Sequence, residues 1–145
     1  MDLNMTSFFE NGKHILEHPV RWGDMDSFDH VNNTIYFRYF EEARINFFKD
    51  MNIKEQMSSQ GIGLILATTD CKFIFPITYP DTLTIETVPF TVGTDRFTVK
   101  QTIISQQHQC VATISTSTIV AYDHVNKHKA TLPESVITLL SSKIL

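Results

Sequence analysis

From residue 34 to residue 49 the apolar positions recur with a helical period. Tyr36, Phe40, Ala43 and Phe47 fall at i, i+4, i+7 and i+11 inside one narrow stripe, and Tyr39 and Phe48 widen it. Arg38 with Glu42 and Glu41 with Arg44 have i,i+4 and i,i+3 spacing, which sets these charges on the outer side. Asn32 or Asn33 is placed to cap the first turn. The pattern predicts a helix from Thr34 to Lys49. Upstream, His14 to Trp22 alternates, with Ile15, Glu17, Pro19 and Arg21 set against Leu16, Val20 and Trp22, and predicts a first strand. Between them lies Gly23 to Asn33, GDMDSFDHVNN, whose Asp, Asn, Gly and Ser residues bond to nearby backbone and interrupt a strand, so this is a loop. Residues 1 to 12 are polar, end in Asn11-Gly12, and read as a loose tail.

After a polar connection at 52 to 60, with room for a short second helix, and Gly61-Ile62-Gly63, the pattern becomes that of strands. Between Thr82 and Val120, 20 of 39 residues are Val, Ile or Thr, whose branched Cβ suits a pleated backbone. Breaks at Pro76 to Asp81, Pro89 to Asp95 and Gln106 to Gln109 separate strands near 62 to 75, 82 to 90, 95 to 105 and 109 to 122. Leu83 and Ile85 alternate with Thr82, Thr84 and Glu86, and Phe97, Val99 and Ile103 with Arg96, Thr98, Lys100 and Thr102, which gives each strand one wet face. Asp123 to Ala130 is a polar turn, and Pro133 opens a short terminal helix carrying Val136, Leu139 and Leu140. Strand, loop, long helix and four strands make an α+β domain, a five-stranded antiparallel sheet over one aromatic helix. One helix cannot cover both faces and the edges of such a sheet, so a homodimer is expected.

Composition adds limits. With 145 residues, 42% hydrophobic and 19% charged, the chain fits one globular domain over residues 1–145. A net charge of -4, without a basic block, lacks the electrostatic footprint of a nucleic-acid binder. No stretch approaches the roughly 20 apolar residues of a membrane span, and the N-terminus has no secretory pattern, so a soluble cytoplasmic protein is expected. Cys71 and Cys110 make no disulfide framework and read as small buried hydrophobes. Phe28, Phe37, Phe40, Phe47 and Phe48 concentrate aromatic bulk early and are expected to form one packing layer of the core.

Val20 to Phe48, VRWGDMDSFDHVNNTIYFRYFEEARINFF, resembles the signature of the hotdog-fold acyl-CoA thioesterases of the 4-hydroxybenzoyl-CoA thioesterase type. That signature is an aromatic residue, D-x-D, two spacers, G-H-V-N-N, and an aromatic helix ending in E-x-A-R. IFPITYPDTLTI and STIVAYD are more distantly similar to later strands of that family. The resemblance implies a hotdog fold, in which the sheet wraps one long central helix. It also implies two protomers paired into a continuous sheet, dimers often assembled into tetramers, and an acyl-CoA bound between protomers near the start of the helix. The implied chemistry is thioester hydrolysis without a metal or redox cofactor, and the residue matching the catalytic carboxylate is Asp26. One departure stands out: Asp29 occupies the place of the usual Gly before His30.

The residues are suited to this chemistry. Thioester hydrolysis needs an attacking group and a cradle for the developing oxyanion, whereas a thiol of pKa near about 8.5 leaves readily. Asp26 can attack directly or deprotonate a water, and the sequence does not choose. Amide N–H groups at the helix start after Asn33, or near Gly61 or Gly63, can polarise the carbonyl. His30, Asn33 and Tyr36 can orient substrate or water. Each has a plainer reading: Asp24 and Asp29 as turn and cap formers, Tyr36 as core, His30 as a brace for the loop. His14 with His18, and His124 with His128, have a metal-like i,i+4 spacing, but lie in strand or turn segments where that spacing loses its meaning. Lys72, Arg96, Lys100, Lys127 and Lys129 are the cations available to the phosphates of CoA, and none is singled out. The alternatives to an acyl-CoA thioesterase are an acyl-carrier-protein thioesterase and a non-catalytic acyl-binding module.

Overall fold

The computed structural model describes residues 5–145. Its elements run β1 (Thr6–Glu10), β2 (Lys13–Pro19), a 3-10 turn (Trp22–Asp24), α1 (Asn33–Asp50), α2 (Ile53–Ser58), β3 (Ile62–Thr69), β4 (Lys72–Phe73), β5 (Thr82–Val92), β6 (Arg96–Ser105), β7 (Cys110–Asp123), β8 (His128–Lys129) and α3 (Glu134–Ser142). One antiparallel sheet has the order β1-β2-β5-β6-β7-β3, with β4 and β8 also paired to β7. This is the expected α+β architecture of a sheet around one long helix. Three strands exceed the predicted five. Two of them, β4 and β8, are two-residue pairings, and β8 falls in the segment read as a polar turn. The third, β1, forms where a loose tail was expected. Asn11 and Gly12 both adopt positive φ, 51° and 79°, so Asn-Gly is the two-residue turn of a hairpin that pairs Glu10 with Lys13.

Helix α1 lies on the inner face of the sheet. Tyr36, Tyr39, Phe40, Ala43 and Phe47 are buried, as the helical stripe requires. They join two apolar clusters, one with Leu16, Leu83, Ile85 and Ile103, the other with Phe97, Val99, Ile119 and Leu140. The expected aromatic layer is thinner than its composition implied, since Phe28 is 80% exposed and Phe37 is 39% exposed. Arg44 is also displaced from its expected outer position. It is buried, its Nη1 donating to Gln101 Oε1 at 3.2 Å and Ser117 Oγ at 3.4 Å. Gln101 in turn donates to the Phe40 carbonyl and to Thr87 Oγ1, so one polar cluster fixes the middle of α1 over β5, β6 and β7. The two cysteines are free and only half-buried, and burial pushes the Cys71 thiol up to about 11. No helix among the described residues is long and apolar enough to cross a membrane.

The spacing of His14 and His18 finds its explanation here. Both side chains are fully buried and point from β2 to the flank of α1. His14 Nε2 lies 2.8 Å from Asp50 Oδ2, and His18 Nε2 bonds the Glu42 carboxylate, so neither Glu42 nor Arg44 makes its expected surface pair. Burial holds the His14 pKa below its ordinary 6.5, against the pull of Asp50. The unfolded chain therefore takes up this proton before the folded one, and the contribution of neutral His14 is complete above about 6.5 and lost as the pH falls toward the lower folded value. Burial also acts to raise the pKa of Asp50, but bonds from His14 and Ser7 outweigh it and hold the carboxyl below 3.8, so its contribution disappears only in stronger acid. Urea midpoints measured from pH 7 to pH 5 are expected to fall for the wild type and to fall less steeply for His14→Gln. Equal slopes would contradict the assignment.

Candidate active site

Asp26 builds its own loop. Its Oδ1 accepts from the backbone N–H of Phe28 at 2.8 Å and of His30 at 3.4 Å, an Asx turn closed by the Asp26 N–H on the His30 carbonyl at 2.7 Å. The loop is then pinned at both ends, Asn32 N–H to the Asp24 carbonyl and Val31 N–H to the Ile77 carbonyl, each at 2.9 Å. Asp24 faces away from this work. Its Oδ2 accepts from Arg21 N–H at 3.1 Å and from the Tyr39 hydroxyl at 2.6 Å, so it holds the 3-10 turn against α1. Burial, reinforced by that carboxylate, holds the Tyr39 phenol well above its ordinary pKa, so it remains a donor.

Asp29 sits at φ 61°, the left-handed conformation that glycine adopts without strain. The departure from the motif is thus tolerated at a cost in backbone strain and adds no wall to the site. Asp29→Gly is expected to stabilise the fold by up to about 1 kcal/mol, the strain relieved being partly offset by the freer unfolded chain. Denaturation in urea checks this, and a loss of stability would show that the Asp29 side chain holds the loop.

Asp26, His30, Asn33 and Tyr36 converge on one groove of about 310 Å³ at the start of α1. Its opposite wall is Val31 with Phe73, Ile74, Phe75 and Pro76, a segment that sequence reasoning did not assign to the site. Nothing in the local sequence marks it, and only the structure shows this apolar run half-exposed, with Phe73 49% and Ile74 50% accessible. Asp26 is half-buried, and among the described residues its Oδ2 takes no hydrogen bond. At the helix start Asn32 is the cap. Its Oδ1 accepts from Thr34 N–H at 3.0 Å, and its carbonyl accepts from Ile35 N–H at 2.9 Å. Of these first amides, Asn33 N–H alone has no acceptor among the described residues.

Other candidates lie elsewhere. Gly61 and Gly63 are not in this groove. Gly63 lines a separate, mainly apolar cavity of about 510 Å³ between the second half of α1, α2 and β3. A Cβ there would stand 2.3 Å from the imidazole of exposed His124, which would have to swing aside. His128 bonds the Lys129 carbonyl at 2.8 Å. Among the candidate cations Arg96 is paired with Asp95 at 3.0 Å and Lys100 lines a cavity with Lys13 and Glu86, whereas Lys72 is exposed beside Phe73 of the groove wall.

A family model described as the thioesterase-like superfamily matches residues 20–140. The uncharacterised protein YsmA of Bacillus subtilis (strain 168) is 30% identical over 80 residues, which are 55% of this chain and 53% of that one, so the match spans about half the length of that curated relative. Among solved structures, the PA2801 protein of Pseudomonas aeruginosa is 28% identical with a TM-score of 0.75, over 84% of this chain and 93% of that one. The DHNA-CoA thioesterase of Staphylococcus aureus is 19% identical with a TM-score of 0.79, over 90% and 89% of the two chains, and shares the fold.

Proposed function

Because the chain belongs to the thioesterase-like superfamily and is by class a thioester hydrolase, we propose that it hydrolyses an acyl-CoA to a carboxylic acid and free CoA. Within that superfamily its loop and helix motif aligns it with the 4-hydroxybenzoyl-CoA thioesterase type. The observation that carries this reading is the groove at the start of α1, where a carboxylate with one uncommitted oxygen faces an apolar wall beside the positive end of an 18-residue helix.

Asp26 either adds to the carbonyl carbon, giving a mixed anhydride that water then opens, or takes a proton from the attacking water. In both routes the carbonyl oxygen gathers negative charge, which Asn33 N–H is placed to meet, and the C–S bond then breaks to release a thiolate. His30 and the Asn33 side chain orient the substrate from the rim. Neither route calls on a metal or a redox cofactor. The working unit is a homodimer, with pairs of dimers associating further, and the enzyme acts in the cytoplasm.

The test is thiol release from a panel of acyl-CoA esters and acyl-carrier-protein esters, with Asp26→Asn in parallel. Turnover of acyl-CoA by the wild type supports the reading. Turnover of carrier-linked acyl groups alone would transfer it to that substrate class, and binding without turnover would make the protein an acyl-binding module.

A further inference from the structure

Among the described residues, Tyr36 is the buried phenol of α1 whose proton finds no acceptor. Its side chain is 3% exposed, and its oxygen accepts from the Ile77 backbone N–H at 3.1 Å. A buried phenolic O–H ordinarily finds an acceptor. That of Tyr39, one turn along the same helix, is held by Asp24 at 2.6 Å. Among the described residues nothing accepts from Tyr36. Ile77 N–H is bonded to the oxygen, the ring of Phe73 stands edge-on to the Tyr36 ring with centroids 5.1 Å apart, and Tyr36 lines the groove shared with Asp26, His30 and Asn33. A substrate in that groove can supply the missing acceptor.

We propose that the Tyr36 hydroxyl is a catalytic hydrogen-bond donor, which binds the thioester carbonyl oxygen and holds the oxyanion while the attacking oxygen adds to the carbonyl carbon. This rests on the thioester-hydrolase reading of the same groove. A single backbone amide, Asn33 N–H, is left at the helix start, because the next two are bonded to Asn32. Tyr36 stands three residues on, on the same helix face, and supplies the second donor that such a cradle needs. The bond from Ile77 N–H polarises the phenol and strengthens its donation. Burial, reinforced by the Asp26 carboxylate, raises the Tyr36 pKa and keeps the hydroxyl protonated, although the Ile77 bond acts the other way. The proton stays on Tyr36 throughout. On addition the carbonyl π pair moves to oxygen and is stabilised there, and it returns to carbon as the C–S bond breaks and the thiolate leaves.

Tyr36→Phe keeps the ring and removes the hydroxyl, both the donor and the acceptor of Ile77 N–H, so its urea midpoint is measured alongside. Assayed on the acyl-CoA that the wild type turns over best, it is expected to lose roughly 10²- to 10³-fold in kcat, with KM changed far less. Unchanged kcat, or a rise in KM alone, overturns the proposal, while an inactive Asp26→Asn control in the same assay leaves the thioesterase reading standing. If Asp26→Asn is fully active as well, Asp26 leaves the chemistry, and only a wild type that turns over no thioester removes the thioesterase reading itself. A ring-fluorinated tyrosine at position 36 tests the same claim without removing a bond. Its greater acidity is expected to move the alkaline limb of the kcat profile to lower pH, and an unshifted limb overturns the donor role.

Discussion

Asp26→Asn is expected to lower kcat/KM for the best acyl-CoA by roughly 10²- to 10⁴-fold while the protein stays folded. That loss corresponds to about 2.7 to 5.4 kcal/mol of transition-state stabilisation. The substitution separates the two tasks of this side chain. The amide oxygen of asparagine can still accept from Phe28 N–H and His30 N–H, so the Asx turn that shapes the loop persists. What disappears is the negative charge at Oδ2, the oxygen that the loop leaves uncommitted. Far-ultraviolet circular dichroism and a urea midpoint close to the wild type would show that the loop survives. A variant that is folded and still turns over substrate at the wild-type rate would remove Asp26 from the chemistry and leave it as a turn former. A variant that is unfolded would show that the charge itself organises residues 24 to 31.

The helix and its cap were legible because both are local. The i, i+4, i+7, i+11 stripe and an Asn at the cap depend on neighbours within four residues, and α1 begins within one residue of its expected start. The strands β5, β6 and β7 were legible for the same reason, through alternation and branched side chains. What failed depended on partners distant in the chain. TSFFE has no alternation, and becomes β1 only because the Asn-Gly turn folds it onto β2. Arg44 was set on the outer side by its spacing from Glu41, yet it is buried with a partner 73 positions away. In the candidate site the polar half, Asp26 to Tyr36, lies within one short segment and was visible as a motif. The apolar half, Phe73 to Pro76, reaches the groove only after the chain has crossed the sheet and returned along β4. No local pattern marks it.

The proposed homodimer makes the second large prediction, and its geometry follows from one strand. β3 is an edge of the sheet, with Ile65 39% and Leu66 42% exposed on it. Its N-terminal residues Ile62, Gly63 and Leu64 line the apolar cavity beside the second half of α1, and its C-terminal end leads to Phe73 in the wall of the Asp26 groove. Within one chain the two spaces lie on the order of 20 Å apart along α1, at 1.5 Å per residue. Antiparallel pairing of β3 with its copy, about a two-fold axis between Ile65 and Leu66, reverses that order. It sets the apolar cavity of one copy beside the carboxylate groove of the other, so the reacting carbonyl and an apolar acyl tail would be held by different chains. Introducing a charge at the axis, Leu66→Lys, is therefore expected to convert the dimer to a monomer in sedimentation velocity and to reduce kcat/KM by about 10²-fold or more, since half of the site is withdrawn. Its urea midpoint should fall to that of the single chain and lose its dependence on protein concentration, because the partner stabilises the folded state by mass action, while the chain itself stays folded, since Leu66 is already half-exposed in it. A monomer that retains wild-type kcat/KM would show that each chain holds a complete site, and an intact dimer would place the contact on another edge.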